Sequence, residues 1–262
     1  MKSCEAIKEL LSSSSVSVAK ETTLCRIPYP DPSIRGFQGG CSDGERYFYQ
    51  VLMHYELSDR TKDYSRIAKI DLRTNEVVRY SEILHLDHAN DVTYHRGQHL
   101  LIVTSNKPNP NRITYVDPDT LTVVGTRELA FPIYALEYNE AHDLYVAGIS
   151  GKREFRFLDA DLNPIDDRAH RTTEETDRYT KQGICADDNF LYFILWDGKH
   201  KALPDFQNTV AIYGWDGSHK GYLHFDIGPY EPESISIANG EILAVCVKEH
   251  DPMLYRFEPT LP

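Results

Sequence analysis

Several things are scarce in these 262 residues, and each scarcity removes a class of function. The five cysteines (4, 25, 41, 185 and 246) are odd in number, widely scattered and without CxxC or Cys/His metal spacing. A disulfide framework is therefore not expected; reduced thiols in a cytoplasmic protein are. No stretch is long and apolar enough to span a bilayer as a helix. The N-terminal MKSCEAIKELLSSSSVSVAK is broken by Glu5, Lys8 and Glu9 and lacks the apolar centre of a signal peptide. Positive charge is short as well: 28 Lys and Arg against 40 Asp and Glu leave a net charge of −12, which argues against nucleic-acid or anionic-membrane partners. No nucleotide-binding glycine motif is present, so no organic cofactor is expected.

What is plentiful is tyrosine, at 17 residues, and short apolar runs separated by polar turns, both of which favour strands. Five segments share one plan: FQGGCSDGERYFYQV (37–51), ANDVTYHRGQHLLIV (89–103), IYALEYNEAHDLYVA (133–147), KQGICADDNFLYFIL (181–195) and PESISIANGEILAVC (232–246). Aligning Gln38, Asn90, Tyr134, Gln182 and Glu233 gives steps of about 52, 44, 48 and 51 residues, the range of propeller blades. Each unit continues with two further strands around an Asp-led turn, as in RIAKIDLRTNEVVRY (66–80), RITYVDPDTLTVVGT (112–126), FRFLDADLNPID (155–166) and VAIYGWDGSHKGYLHF (210–225).

Four strands in each of five units predict an all-β, five-bladed β-propeller. From Glu233 onward there is room for three strands, so the N-terminal ETTLCRI (21–27) is expected to complete the last blade and close the ring. Residues 1–20 then form an arm with a short amphipathic helix over 4–11, and 21–262 form a single domain. A β-sandwich or two small β domains is the alternative, and five correlated units count against it.

The first strand of each blade lines the central channel, so the aligned positions form a polar ring at one mouth. Asp91 and Glu137 put carboxylates where neighbouring blades have small residues, and a structural cation in the axial channel is compatible with them. Cys41 and Cys185 stand at equivalent places and read as small fillers. Loops on the same face carry His54, Lys107, Lys152, Arg153, Trp196, Lys199, His200, Lys248 and His250, a donor-rich rim over a carboxylate floor. The spacing of His88 and its neighbours matches no zinc site. WD at 196–197 and 215–216 falls at different points of the plan, so these are not WD repeats.

FQGG (37–40), with Gln38, resembles the first inner strand of the glutamine cyclotransferases, the plant-type glutaminyl cyclases. HANDVTY resembles that family's second-blade Gly-Glu-Gly-Ile-Thr segment. The resemblance implies a five-bladed propeller and acid–base chemistry on an amino-acid-like substrate, but the family's catalytic Glu falls on Asn90, which is neither acid nor base. The expected site is therefore Asp91 or Glu233 as base and Tyr134 or His88 as proton donor. Gln38, Asn90, Glu137, Gln182, Trp196, Lys107 and Arg153 are expected to contact the ligand, and no metal is expected among them. The reaction class is cyclisation, elimination or hydrolysis of a small zwitterionic or anionic molecule, amino-acid- or peptide-like. The alternative is a non-catalytic propeller that binds a ligand or a protein partner at the same mouth.

Overall fold

A spacing of three and four puts Ser3, Ala6, Ile7 and Leu10 on one buried side of helix α1 (Ser3–Leu11). That side lies on the last sheet of the fold: the Cys4 N–H donates to the Gly240 carbonyl at 3.1 Å and the Ser3 hydroxyl to the Phe257 carbonyl at 2.6 Å. The computed structural model describes residues 2–12, 16–29, 31–56, 59, 62–166, 168–198, 208–228, 230–248 and 250–260. After α1 the chain enters strand β1 (Val16–Arg26) and then four-stranded antiparallel meanders.

Blade 1 is β2 (Gly36–Ser42), β3 (Tyr47–His54), β4 (Tyr64–Asp71) and β5 (Glu76–Tyr80). Blade 2 is β6 (Asp91–His95), β7 (Leu100–Thr104), β8 (Arg112–Val116) and β9 (Val123–Glu128). Blade 3 is β10 (Ile133–Asn139), β11 (Leu144–Ile149), β12 (Glu154–Leu158) and β13 (His170–Arg171). Blade 4 is β14 (Thr180–Ala186), β15 (Phe190–Trp196), β16 (Asn208–Gly214) and β17 (His219–Phe225). Blade 5 is β18 (Glu231–Ala238), β19 (Glu241–Lys248) and β20 (Asp251–Pro259), with β1 as its outer strand.

The predicted closure is present. β1 runs antiparallel to β20 from Ala19 opposite Pro259 to Arg26 opposite Met253. It begins at Val16 rather than Glu21, and Val16–Val18 lie parallel to Tyr222–His224 of β17, so blades 4 and 5 share one sheet. Blade 3 departs from expectation. The fourth strand expected over 163–166 reduces to a bridge between Leu158 and Pro164, and the outer strand falls on His170–Arg171. Pro164 has no N–H to donate to a ladder.

Alternation along each strand sends successive side chains to opposite neighbours, and five wedge-shaped cores result. On β7, Leu101 and Val103 face blade 1 beside Val51 and Ile67, while Ile102 faces blade 3 beside Leu136 and Tyr145. Phe155 and Phe193 fill the wedge between blades 3 and 4, Ile194 and Ala244 that between 4 and 5, and Phe37 and Val245 that between 5 and 1. Each fully buried aliphatic or aromatic side chain contributes about 1.5–3 kcal/mol, so the wedges hold the ring together. Cys41 and Cys185 pack in two of these wedges as buried fillers.

The repeated Asp residues are turn residues. Oδ1 of Asp117 accepts the N–H of Asp119 and Thr120, Oδ1 of Asp159 those of Asp161 and Asn163, and Oδ1 of Asp216 that of Ser218. A short carboxylate satisfies backbone donors that the tight turn leaves open. The Asp-led turns of the sequence are thus turn chemistry, repeated in blades 1 to 4, with Oδ1 of Asp71 accepting the Arg73 N–H in blade 1. Among the described residues no helix is long and apolar enough to cross a membrane.

Candidate functional site

Four of the five aligned ring residues share a backbone feature. Gln38, Tyr134, Gln182 and Glu233 each sit where the inner strand bulges against its neighbour. A bulge adds a residue on one side of a ladder and re-aims its side chain, commonly at the rim of a barrel. Blade 2 has no bulge; Asn90 stands just ahead of β6 instead.

Asn90 and Asp91 close the axis. The Asn90 side-chain amide donates to the Tyr134 carbonyl at 2.8 Å and to the Gln182 carbonyl at 3.1 Å, reaching two blades at once. Oδ2 of Asp91 accepts the N–H groups of Leu136 and Ile184, both at 3.3 Å, in the same two blades. Blade 1 approaches from the other side: a Cβ on Gly39 would lie 2.4 Å from the Asp91 Cα, so only glycine fits there. Asp91 is fully buried, with Oδ1 unpartnered among the described residues. Burial first, then the charge of Glu137, pushes its carboxyl well above the usual range, against the pull of the backbone N–H groups. The Ser234 hydroxyl, at the equivalent position in blade 5, is also buried and, among the described residues, unpartnered.

This plug divides the sequence candidates. Glu137 lies on the far side, in a cavity of about 300 Å³ at the opposite end of the channel with Cys41, Ser236 and Arg96. Burial pushes Glu137 up to about 8, opposed by hydrogen bonds from Thr93 and the Ala186 backbone. On the near side lie Glu233, Gln182 and a residue that sequence reasoning passed over, Glu231. The Gln182 amide donates to Oε1 of Glu231 at 2.7 Å. Burial pushes Glu231 up to about 7 against that bond. Burial, then the charge of Glu231, pushes Glu233 well above its ordinary value. Both carboxyls keep part of their surface open. Gln38 is 9% exposed, its carbonyl held at 2.6 Å by the Gln50 amide.

The remaining candidates are spread around the rim. His88 and Lys107 share a pocket of about 200 Å³ with Asp63 and Asn106. Asp87 pairs with Arg112 at 2.6 Å and accepts the Asn109 amide at 2.9 Å. Tyr134 and Arg153 share a second pocket with Lys152 and Lys181, between blades 3 and 4. Trp196 ends β15 with its ring against Gly198. Lys199 and His200 lie outside the described residues. A third, larger pocket of about 590 Å³ holds Arg35, His54, Tyr55, Glu56 and His250 between blades 5 and 1. Among the described residues no three His, Cys, Asp or Glu side chains are grouped to hold a metal ion. His88 and Lys107 are thus apart from Tyr134 and Arg153, and Asp91 and Glu137 are beneath the mouth.

Glu231 was hidden because it stands two residues ahead of Glu233, outside the aligned ring. The signal for it was the doubled acid in PYEPES (229–234), two carboxylates on alternate positions of a strand start.

No family model and no curated protein matches the sequence. Solved structures do. The glutaminyl cyclase of Myxococcus xanthus is similar over 94% of this chain and 99% of its own, with a TM-score of 0.63 and 11% identity. Hydrazine synthase of Kuenenia stuttgartiensis has a TM-score of 0.47 and 10% identity, over 84% of this chain and 58% of its own. The Cps50 (Swd1) β-propeller domain of Myceliophteria thermophila has a TM-score of 0.40 and 12% identity, over 87% of this chain and 67% of its own. At such low identity the likeness is one of architecture: this chain is an all-β, five-bladed propeller with the glutaminyl cyclase-like fold.

Proposed function

We propose that the near mouth is an acid–base site for a small amine-bearing, amino-acid- or peptide-like molecule, with Glu231 and Glu233 as its working groups. The observation that carries this reading is their inequality: Glu231 is pushed up to about 7 and Glu233 well above its ordinary range, side by side on a partly open surface. At neutral pH such a pair holds one protonated and one ionisable carboxyl, the division of labour that acid–base catalysis needs. Gln182 fixes the orientation of Glu231 and leaves the Glu233 carboxyl to the ligand.

The fold likeness favours cyclisation among the three reaction classes. There a ligand amine attacks its own amide carbon; the new N–C bond forms, the old C–N bond breaks, and ammonia departs. Glu231 would take the amine's proton and Glu233 would supply one to the leaving nitrogen. Asp91, enclosed by backbone N–H groups, serves as the plug that supports this floor. No organic cofactor is needed for the scheme.

A second reading has its own observation. Asn90, which the sequence resemblance sets at the glutamine cyclotransferases' catalytic Glu, commits its amide to two backbone carbonyls, as a purely structural side chain would. On that reading the mouth binds without turnover. Ammonia release from N-terminal-Gln peptides and glutamine amides, measured for wild type and Glu233→Gln, separates the two. Release that falls at least 100-fold in the variant supports the enzyme. No release, with saturable binding by calorimetry, supports the binding module.

A further inference from the structure

The pocket between blades 3 and 4 is unlike the rest of this acidic chain. Its lining holds Lys152, Arg153 and Lys181 against one carboxylate, Asp177, in a cavity of about 300 Å³. These cations are not equally committed. The Lys181 ammonium has three acceptors, Asp177 Oδ1 at 2.9 Å, the Lys152 carbonyl at 3.3 Å and Thr172 Oγ1 at 3.4 Å, so it is a fixed part of the wall. Lys152 and Arg153 have long contacts, 3.4 Å to Glu154 and 3.5 Å to Asp177, and are 62% and 73% exposed. Exposed pairs at such distances contribute little, so both side chains can turn to an incoming anion.

Tyr134 supplies the second observation. Its ring lies over Gly148, leaving 8% of the residue exposed, and it lines this pocket. Among the described residues its hydroxyl has no hydrogen-bond partner. The ring is mostly buried while the hydroxyl opens into the basic cavity, where it is placed to donate to an anion. Burial keeps the phenol protonated, so it remains a donor at any physiological pH.

The pocket and the carboxyl pair flank the same strand start. At the β14 bulge Lys181 turns to the basic pocket and Gln182 to Glu231. We infer that the blade 3–4 pocket is the anion subsite of the mouth, holding a carboxylate or phosphate group through Tyr134, Lys152 and Arg153. The ligand is then a zwitterion, with its amine toward Glu231 and Glu233 and its anion across β14. The amine half rests on the function proposed above; the anion half stands on this pocket alone.

Amide-resolved NMR titrations test both halves. N-acetylglycine carries the carboxylate, orthophosphate the phosphate, glycinamide the amine, and glycylglycine and triglycine carry both ends. Saturable shifts of the Ser150, Gly151 and Arg153 amides with N-acetylglycine or orthophosphate are expected, and the tighter of the two identifies the anion. The double variant Lys152→Gln/Arg153→Gln should weaken that binding at least tenfold, and Tyr134→Phe, which removes one hydroxyl, several-fold. Neither anion shifting these amides, or wild-type affinity in the double variant, overturns the subsite. If glycinamide leaves Glu231 and Glu233 unmoved while the anions bind, the amine reading fails and the subsite stands. If neither glycine peptide binds more tightly than N-acetylglycine, the two halves do not share one ligand.

Discussion

The side-chain amide of Asn90 donates to the backbone carbonyl of Gln182, on a blade that is not its neighbour, at 3.1 Å. Its other contact, to the Tyr134 carbonyl at 2.8 Å, ties in the blade between. Removing it leaves two carbonyls of the closed axis without their donor. Asn90→Ala is expected to cost about 1–3 kcal/mol in urea unfolding. Asn90→Glu, which puts a carboxyl in place of the amide, can donate only if protonated and should also destabilise, without raising ammonia release from glutamine amides. A gain of activity in Asn90→Glu contradicts the plug assignment.

Gly39 makes a sharper test of the same axis. An added Cβ would lie 2.4, 2.5 and 2.8 Å from the Cα, carbonyl carbon and nitrogen of Asp91, all backbone atoms. Gly39→Ala is expected to lose about 3 kcal/mol or more, or to fail to fold. Gly125→Ala is the control, because its Cβ would meet only the Tyr115 ring, at 3.7 Å. That variant should stay within about 0.5 kcal/mol of wild type in the same unfolding assay.

Glu137 predicts a pH dependence. Burial raises its carboxyl from 4.5 to about 8, so the folded state holds a proton that the unfolded chain has released. Stability is then greatest below pH 4.5 as far as this group is concerned, and falls as pH rises toward 8. Glu137→Gln should flatten that decline and raise the melting temperature most above pH 8. An unchanged slope of melting temperature against pH between 5 and 8 would show Glu137 to be ionised in the folded protein.

Asp91 follows the same logic with a stronger displacement, since its carboxyl is fully buried and pushed well up. A neutral carboxyl is mimicked by an amide. Asp91→Asn is therefore expected to fold and to be more stable than wild type at pH 7, because the wild-type carboxyl must take up a proton on folding and the amide need not, its Oδ1 accepting the Leu136 and Ile184 N–H groups. Asp91→Ala leaves both donors unpaired and should cost about 1–3 kcal/mol. Equal losses in the two variants would mean that the negative charge itself matters.

The blades and their closure were legible because strand alternation and turn residues are local, and five units repeat them. The polar ring was legible for the same reason. What was hidden lies across the axis. Asn90 and Asp91 looked like a mouth cluster, yet their partners are backbone atoms of residues 134, 136, 182 and 184, which no periodicity identifies. Glu137 looked like a companion to Asp91, but the plug places it in the opposite cavity. Glu231 gained its role from Gln182 on another blade. The outer strand of blade 3 moved because one proline lacks a donor, a detail the strand pattern overrode.

The pairing of β1 with β20 sets how the protein would respond to a mechanical load. Ala19 lies opposite Pro259 and Arg26 opposite Met253, so the chain's first and last strands leave the sheet at the same end. Tension applied between the two termini would peel their hydrogen bonds apart one pair at a time instead of loading the row together. The ring would therefore open under a small tether force, beginning at its own latch.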